Sequence, residues 1–139
     1  MRTIIFPYTE KLITATLPSL LLSAGVALAD FRVATRKLQP NRLAPKHQII
    51  VRSDGGTIYD RALKEESMTI LIWTKTANSY GDANSMALRL EALLPLLATK
   101  IWNINNVEGI TVSPIDSETE EELREITFNV IVKGQDLSL

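Results

Sequence analysis

Met68-Thr69-Ile70-Leu71-Ile72-Trp73 is the stretch that decides the fold. In an extended chain Met68, Ile70 and Ile72 point to one side and Leu71 and Trp73 to the other. A run apolar on both faces predicts a strand in the middle of a sheet. Upstream, Ile49-Ile50-Val51-Arg52-Ser53-Asp54-Gly55-Gly56 predicts a second strand over residues 47–52 that stops at a double glycine. Gly allows positive φ and Asp can bond its own backbone, so Asp54-Gly55-Gly56 predicts a turn or bulge that ends the strand. A Gly-Gly pair can also cradle a phosphate, but that chemistry needs more glycines and a following helix N-terminus, and a strand-like run follows here. Downstream, an amphipathic helix is predicted from about Ala77 to Lys100, with Ser79-x-x-Asp82 resembling a capping box near its start. Met86, Leu90, Leu93, Leu94 and Leu97 form its apolar stripe, Ala83 and Ala87 allow close approach, and Arg89 and Glu91 face away. Pro95 predicts a bend or an early end.

Further out, Tyr8, Leu12, Ile13, Thr16, Leu17, Leu20 and Leu21 recur at helical spacing and predict a first helix over Tyr8–Leu22. Pro18 should bend or break it, and Gly25 sits where a helix C-terminus wants a residue tolerant of positive φ. Ala27-Leu28-Ala29 imitates the cleavage site of a secretory signal. The lone Arg2, the intruding Glu10 and the polar breaks at Thr14, Thr16, Ser19 and Ser23 favour a packed helix instead. No stretch is cleanly apolar over the length of a membrane span. Residues 26–36 read as a strand and residues 37–46, with Pro40, Asn41 and Pro45, as a basic loop. Residues 103–109 read as a polar loop, Gly109–Ile115 as a strand and Ser117–Glu122 as an acidic turn. In Leu123–Lys133, Ile126, Phe128, Val130 and Val132 alternate with Glu125, Thr127, Asn129 and Lys133, which predicts a strand with one face buried, paired as a hairpin with the strand before it.

The chain has 139 residues, 45% hydrophobic and 22% charged, which suits one domain with one core. With no cysteine, disulfides, thiolate metal sites and thiol chemistry are excluded. His47 is the only histidine, so the common His-based metal sites and acid/base catalysis are disfavoured, and the composition argues against an enzyme. The carboxylate clusters Glu65-Glu66 and Glu120-Glu121-Glu122 alternate faces on a strand and form no positioned acid/base pair by themselves. Ser53, Asp54 and His47 lie within one short strand and turn, too close in sequence to suggest a nucleophile triad. Trp73 and Trp102 flank the second helix as core residues or interface anchors.

Charge is unevenly placed although the net is −1. Residues 31–64 carry Arg32, Arg36, Lys37, Arg42, Lys46, Arg52, Arg61 and Lys64 against Asp54 and Asp60, a local +6. Residues 108–139 carry Glu108, Asp116, Glu118, Glu120, Glu121, Glu122, Glu125 and Asp136 against Arg124 and Lys133, a local −6. Three readings stay open: two solvated faces that balance within a subunit, head-to-tail association of subunits, or nucleic acid held by the basic segment 32–46.

In its order of elements the chain resembles the tail terminator (tail completion) proteins of long-tailed phages, of the type found in actinobacteriophages. The likeness covers nearly the whole chain. It rests on the N-terminal helix, the strand with Val33–Arg36, the Ile49–Gly56 stretch, Leu71-Ile72-Trp73-Thr74, the Ala/Leu-rich helix Asp82–Leu97 and a final hairpin closing on Phe128–Gly134. The resemblance implies a single α+β domain over residues 1–139, a mixed or antiparallel sheet of about four to five strands packed with two helices. It implies a structural virion protein without cofactor, a homo-oligomeric ring of about six copies on the head-proximal end of the tail tube. Its partners would be the tail tube protein and a head-completion or connector protein, with genomic DNA passing through the lumen without sequence specificity. Assembly would take place in the host cytoplasm, away from any membrane. Against that background the expected subunit and partner contacts are Arg32, Arg36, Lys37, Arg42, Lys46, Arg52 and Asp54 on the basic side, and Glu118, Glu120, Glu121 and Glu122 on the acidic side. The alternatives are a neck or head–tail connector protein, a small nucleic-acid-binding protein, and a secreted module.

Overall fold

The computed structural model describes residues 3–6, 8–38, 45–59, 62–75, 81–99, 103–113 and 121–137. In chain order these form β1 (Thr3–Ile5), α1 (Thr9–Ser23), β2 (Phe31–Ala34), β3 (His47–Tyr59), β4 (Leu63–Lys75), α2 (Gly81–Leu93), β5 (Asn103–Asn105), β6 (Thr111–Val112), β7 (Glu121–Lys133) and β8 (Gln135–Leu137). The main sheet is six-stranded and mixed, in the order β2-β3-β4-β7-β5 with β6 also on the outer flank of β7. Only the β2–β3 pairing is parallel among these. With two α-helices among the described residues this is a small α+β fold, as expected from the sequence.

The doubly apolar run holds the centre. β4 lies between β3 and β7, pairing with both along nearly its whole length. Ile70 stands opposite Val51 on one side and Ile126 on the other. With Ile49, Met68, Ile72, Phe128, Val130 and Val132 these side chains make one buried face of the sheet. Both helices pack on that face. α1 inserts Ile13, Leu17 and Leu21, and α2 and its 3-10 continuation insert Met86, Ala87, Leu90, Leu94 and Leu97. Spacings of three and four residues bring each set onto one helical stripe, so burial follows directly from the sequence period.

α1 runs as one helix past Pro18, so the proline does not break it. Leu17 and Leu21 flank the proline and are fully buried, so packing offsets the one lost backbone bond. The helix ends where expected. Gly25 has φ +89°, its N–H donates to the Leu22 carbonyl at 3.1 Å, and the Val26 N–H donates to the Leu21 carbonyl at 3.0 Å. That is the double bond of a Schellman cap, with Val26 and Leu21 both buried beside it. α2 stops at Leu93, and Leu94–Thr99 continues as a 3-10 turn around Pro95. The capping residue Ser79 lies outside the described residues.

Four sequence expectations need correction. Residues 26–36 are not one strand: Leu28–Asp30 is a 3-10 turn, and β2 begins only at Phe31, where pairing with His47 of β3 starts. The double glycine does not end β3. The strand carries on to Tyr59 through a bulge between Ser53 and Gly55. The polar segment 103–109 contains β5, because its backbone finds β7 even though its side chains carry no strand pattern. Glu121 and Glu122, expected in an acidic turn, belong to β7 and are buried, while residues 117–120 lie outside the described residues. β8 was not foreseen; it pairs antiparallel with β1 as a separate two-stranded ribbon.

Candidate subunit interface

Alternation along the strands leaves a second sheet face, opposite the helices. Ile50, Leu63, Leu71, Trp73, Leu123 and Ile131 point to it, and none belongs to the core cluster. All but Ile50 are half-buried. Here β3, β4 and β7 set apolar side chains between polar ones such as Thr69, Glu125 and Asn129. One face packed and the other mixed is the common arrangement of a largely antiparallel sheet.

One end of this face is crossed by the start of the basic segment. The Leu38 N–H donates to Gln48 Oε1 at 2.8 Å, and Gln48 Nε2 donates to the Leu38 carbonyl at 3.1 Å. Gln48 is buried, so its amide acts as a backbone mimic that ties residues 37–38 to β3. Lys37 Nζ then lies 4.7 Å from the centroid of the Trp73 ring and 2.8 Å from Glu121 Oε1. Glu121 is only 1% exposed. A carboxylate that far out of water is tolerable because an ammonium meets it.

The residues expected at contacts therefore divide. Lys37 and Glu121, one from each charged segment, meet inside a single chain. Lys46 pairs with Asp82 at the start of α2. Arg52 Nε donates to Asp54 Oδ1 at 2.9 Å, and Asp54 Oδ2 accepts from the Thr69 hydroxyl at 2.5 Å, so both residues brace the bulge. Glu122 is buried against Arg124 at 3.3 Å, and Arg124 Nε also donates to Asn84 of α2 at 2.9 Å. Arg32 donates to the Arg36 carbonyl at 2.7 Å, and Arg36 is exposed on the edge-strand side. Arg42, Glu118 and Glu120 lie outside the described residues, as does Trp102.

Several contributors carry no sequence signal. Glu10 of α1 reaches across to the bulge, its Oε1 accepting from the Ser53 N–H at 2.7 Å while its Oε2 accepts from the Tyr8 hydroxyl at 2.8 Å. That bond raises the Tyr8 hydroxyl above the usual tyrosine pKa, because the neighbouring carboxylate disfavours a phenolate. Only the alternation of polar residues into β3 could have flagged Gln48. Nothing in the chain order announced Glu10.

At the N-terminal end of β3, next to Gln48, His47 is 6% exposed, and its Nδ1 lies 2.9 Å from the Thr74 hydroxyl. It borders a polar cavity of about 260 Å³ lined also by Asp30, Lys46, Asp82, Ser85 and Arg89. Burial, and then the adjacent Lys46, push the imidazole down to about 4, so it is neutral at pH 7. Two cations and two carboxylates balance one another around this cavity.

Among the described residues no group of three or more His, Asp or Glu side chains is placed to hold a metal ion. No described helix is long and apolar enough to cross a membrane. No family model matches the chain, and no curated protein matches it either.

Proposed function

We propose that this chain is a structural virion subunit. A ring of about six copies would cap the head-proximal end of a phage tail tube, stop its growth and join the tail to the head-completion proteins. The observation that carries this reading is the one-sided sheet. Helices cover one face, while the other carries Leu71, Trp73, Leu123 and Ile131 half-buried in a mixed polar setting. Such a face supports association rather than turnover, in line with the family resemblance in the order of elements. Capping then needs two unlike surfaces: one that binds the last tube ring, and one that offers the next tube subunit no equivalent site.

The test is tube assembly. Purified tail tube protein is polymerised with and without this chain, and lengths and ends are scored by negative-stain microscopy. Short tubes bearing a ring of extra density at one end are expected. Tubes of unchanged length with bare ends would sink the proposal, and a ring that binds only portal-side proteins would move the reading to a neck connector. Nucleic-acid binding by residues 32–46 is less well supported, since Lys37 and Lys46 are engaged in ion pairs within the chain.

A further inference from the structure

Among the described residues each end of the main sheet is a free edge. At one end β2 pairs with β3 alone, leaving one side of its backbone without a strand partner among the described residues. At the other end residues 103–113 run along β7. β5 pairs Asn129–Ile131, the Glu108 N–H donates to the Thr127 carbonyl at 2.8 Å, and β6 pairs Arg124–Glu125. The outer side of that whole segment likewise has no strand partner among the described residues. A strand edge with unused N–H and C=O groups is a template for another strand.

The two edges fit each other in three independent ways. The first is charge: exposed Lys11 and Arg36 and half-buried Arg32 stand about the β2 edge, whereas exposed Glu108 and half-buried Glu125 stand about the β6 edge. The second is shape. A groove of about 520 Å³ runs beside β2, lined by Tyr8, Lys11, Thr14 and Ala15 of α1's side and Val33 to Thr35 of β2's. Val112 on β6 is 63% exposed. Val112 stands opposite Arg124, on the helix-covered side of the sheet, and the groove lies on that same side. The third is direction. β2 is parallel to β3, and each further step through β4, β7 and β6 reverses the chain, so β2 and β6 run antiparallel. A second copy rotated about an axis along the strands presents its β6 antiparallel to the first copy's β2, the more favourable pairing.

We propose that β6 of one copy pairs edge to edge with β2 of the next, seating Val112 in the groove between α1 and β2. The contact is heterologous, so each copy uses one edge to give and the other to receive, and a constant rotation closes a ring. This rests on the ring reading above and specifies its contact.

The chain has no cysteine, so engineered thiols report without background. Thr35 and Val112 are both exposed. The double variant Thr35→Cys/Val112→Cys, treated with a short bismaleimide at the concentration where native mass spectrometry finds rings, should give a ladder ending at the closed ring. A mixture of the two single variants should stop at dimers, and neither single variant should cross-link alone. Self-linking of a single variant would mean a two-fold contact and would overturn the pairing. Rings by native mass without cross-links would also overturn it while leaving the ring reading intact. Monomers at every concentration and salt would remove the ring reading, and the pairing with it. As a second readout, Arg36→Glu should weaken assembly about fivefold or more at low salt, and adding Glu108→Arg should restore it. Failure of that rescue alongside absent cross-links would leave no support for the contact.

Discussion

His47 shows how one residue's burial becomes a property of the whole chain. Its imidazole is held at about 4 by burial first and by Lys46 second, against an ordinary value near 6.5. Between those two values the unfolded chain binds a proton that the folded chain refuses. Stability is therefore full above pH 6.5 and falls as the pH drops towards 4. With solvent screening around the half-open cavity, the loss should be on the order of 2 kcal/mol at pH 4. Urea titrations across this range should follow that slope, and His47→Gln should flatten it while keeping a polar partner for Thr74; an unchanged slope would reassign the acid sensitivity. Lys37 gives a second case. Replacing it with Ala strands Glu121 at 1% exposure, so a loss of about 1–3 kcal/mol is expected. Glu121→Gln should recover part of that loss in the double variant, which a double-mutant cycle in urea would measure. The sequence makes both charges visible but not their meeting. Eighty-four positions separate them, and alternation alone does not bring Lys37 back over Trp73.

Among the elements, the bulge in β3 separates what was legible from what was not. Asp54-Gly55-Gly56 announces a backbone irregularity, and Gly55 does adopt φ +101°. The sequence does not say that the strand resumes, because that depends on β4 being long enough to pair Gly56–Tyr59 with Leu63–Glu66. Gly56 matters for a different reason from Gly55: a Cβ there would run into the Glu65 carbonyl oxygen across the hairpin. Since backbone cannot give way as a side-chain tip can, Gly56→Ala should cost about 1–3 kcal/mol, measured as a lower unfolding midpoint. A neutral result would mean that the outer hairpin moves freely from β4. The helices and β7 were legible because each has a strong period, and packing obeys it. β5 and β8 were not, since three-residue strands are made by a neighbour's backbone rather than by their own side chains.

At the level of the molecule, the sheet's two faces make separable demands on the chain. Phe128 and Leu90 are fully buried on the helix side, and truncating either to Ala removes packing that nothing replaces; about 3–5 kcal/mol should be lost for each. Leu123 and Ile131 stand on the other face, half-buried and outside the core cluster. A lysine at either position can extend its stem over the sheet and keep its ammonium in water. Leu123→Lys and Ile131→Lys should therefore shift the unfolding free energy by no more than about 0.5–1 kcal/mol. Edge pairing about an axis along the strands turns this face radially, towards the lumen or the outside, so a charge placed there should leave capping of the axial tube end in place while the monomer stays folded. The pairing of assays decides the matter. Variants that fold normally and no longer shorten tubes put the tube contact on the open face. Variants that fold normally and still cap tubes at wild-type efficiency exclude this face from it, and leave the strand ends, with the hairpin tip at exposed Ile58 and Tyr59, as the surface through which an edge-paired ring could meet the tube.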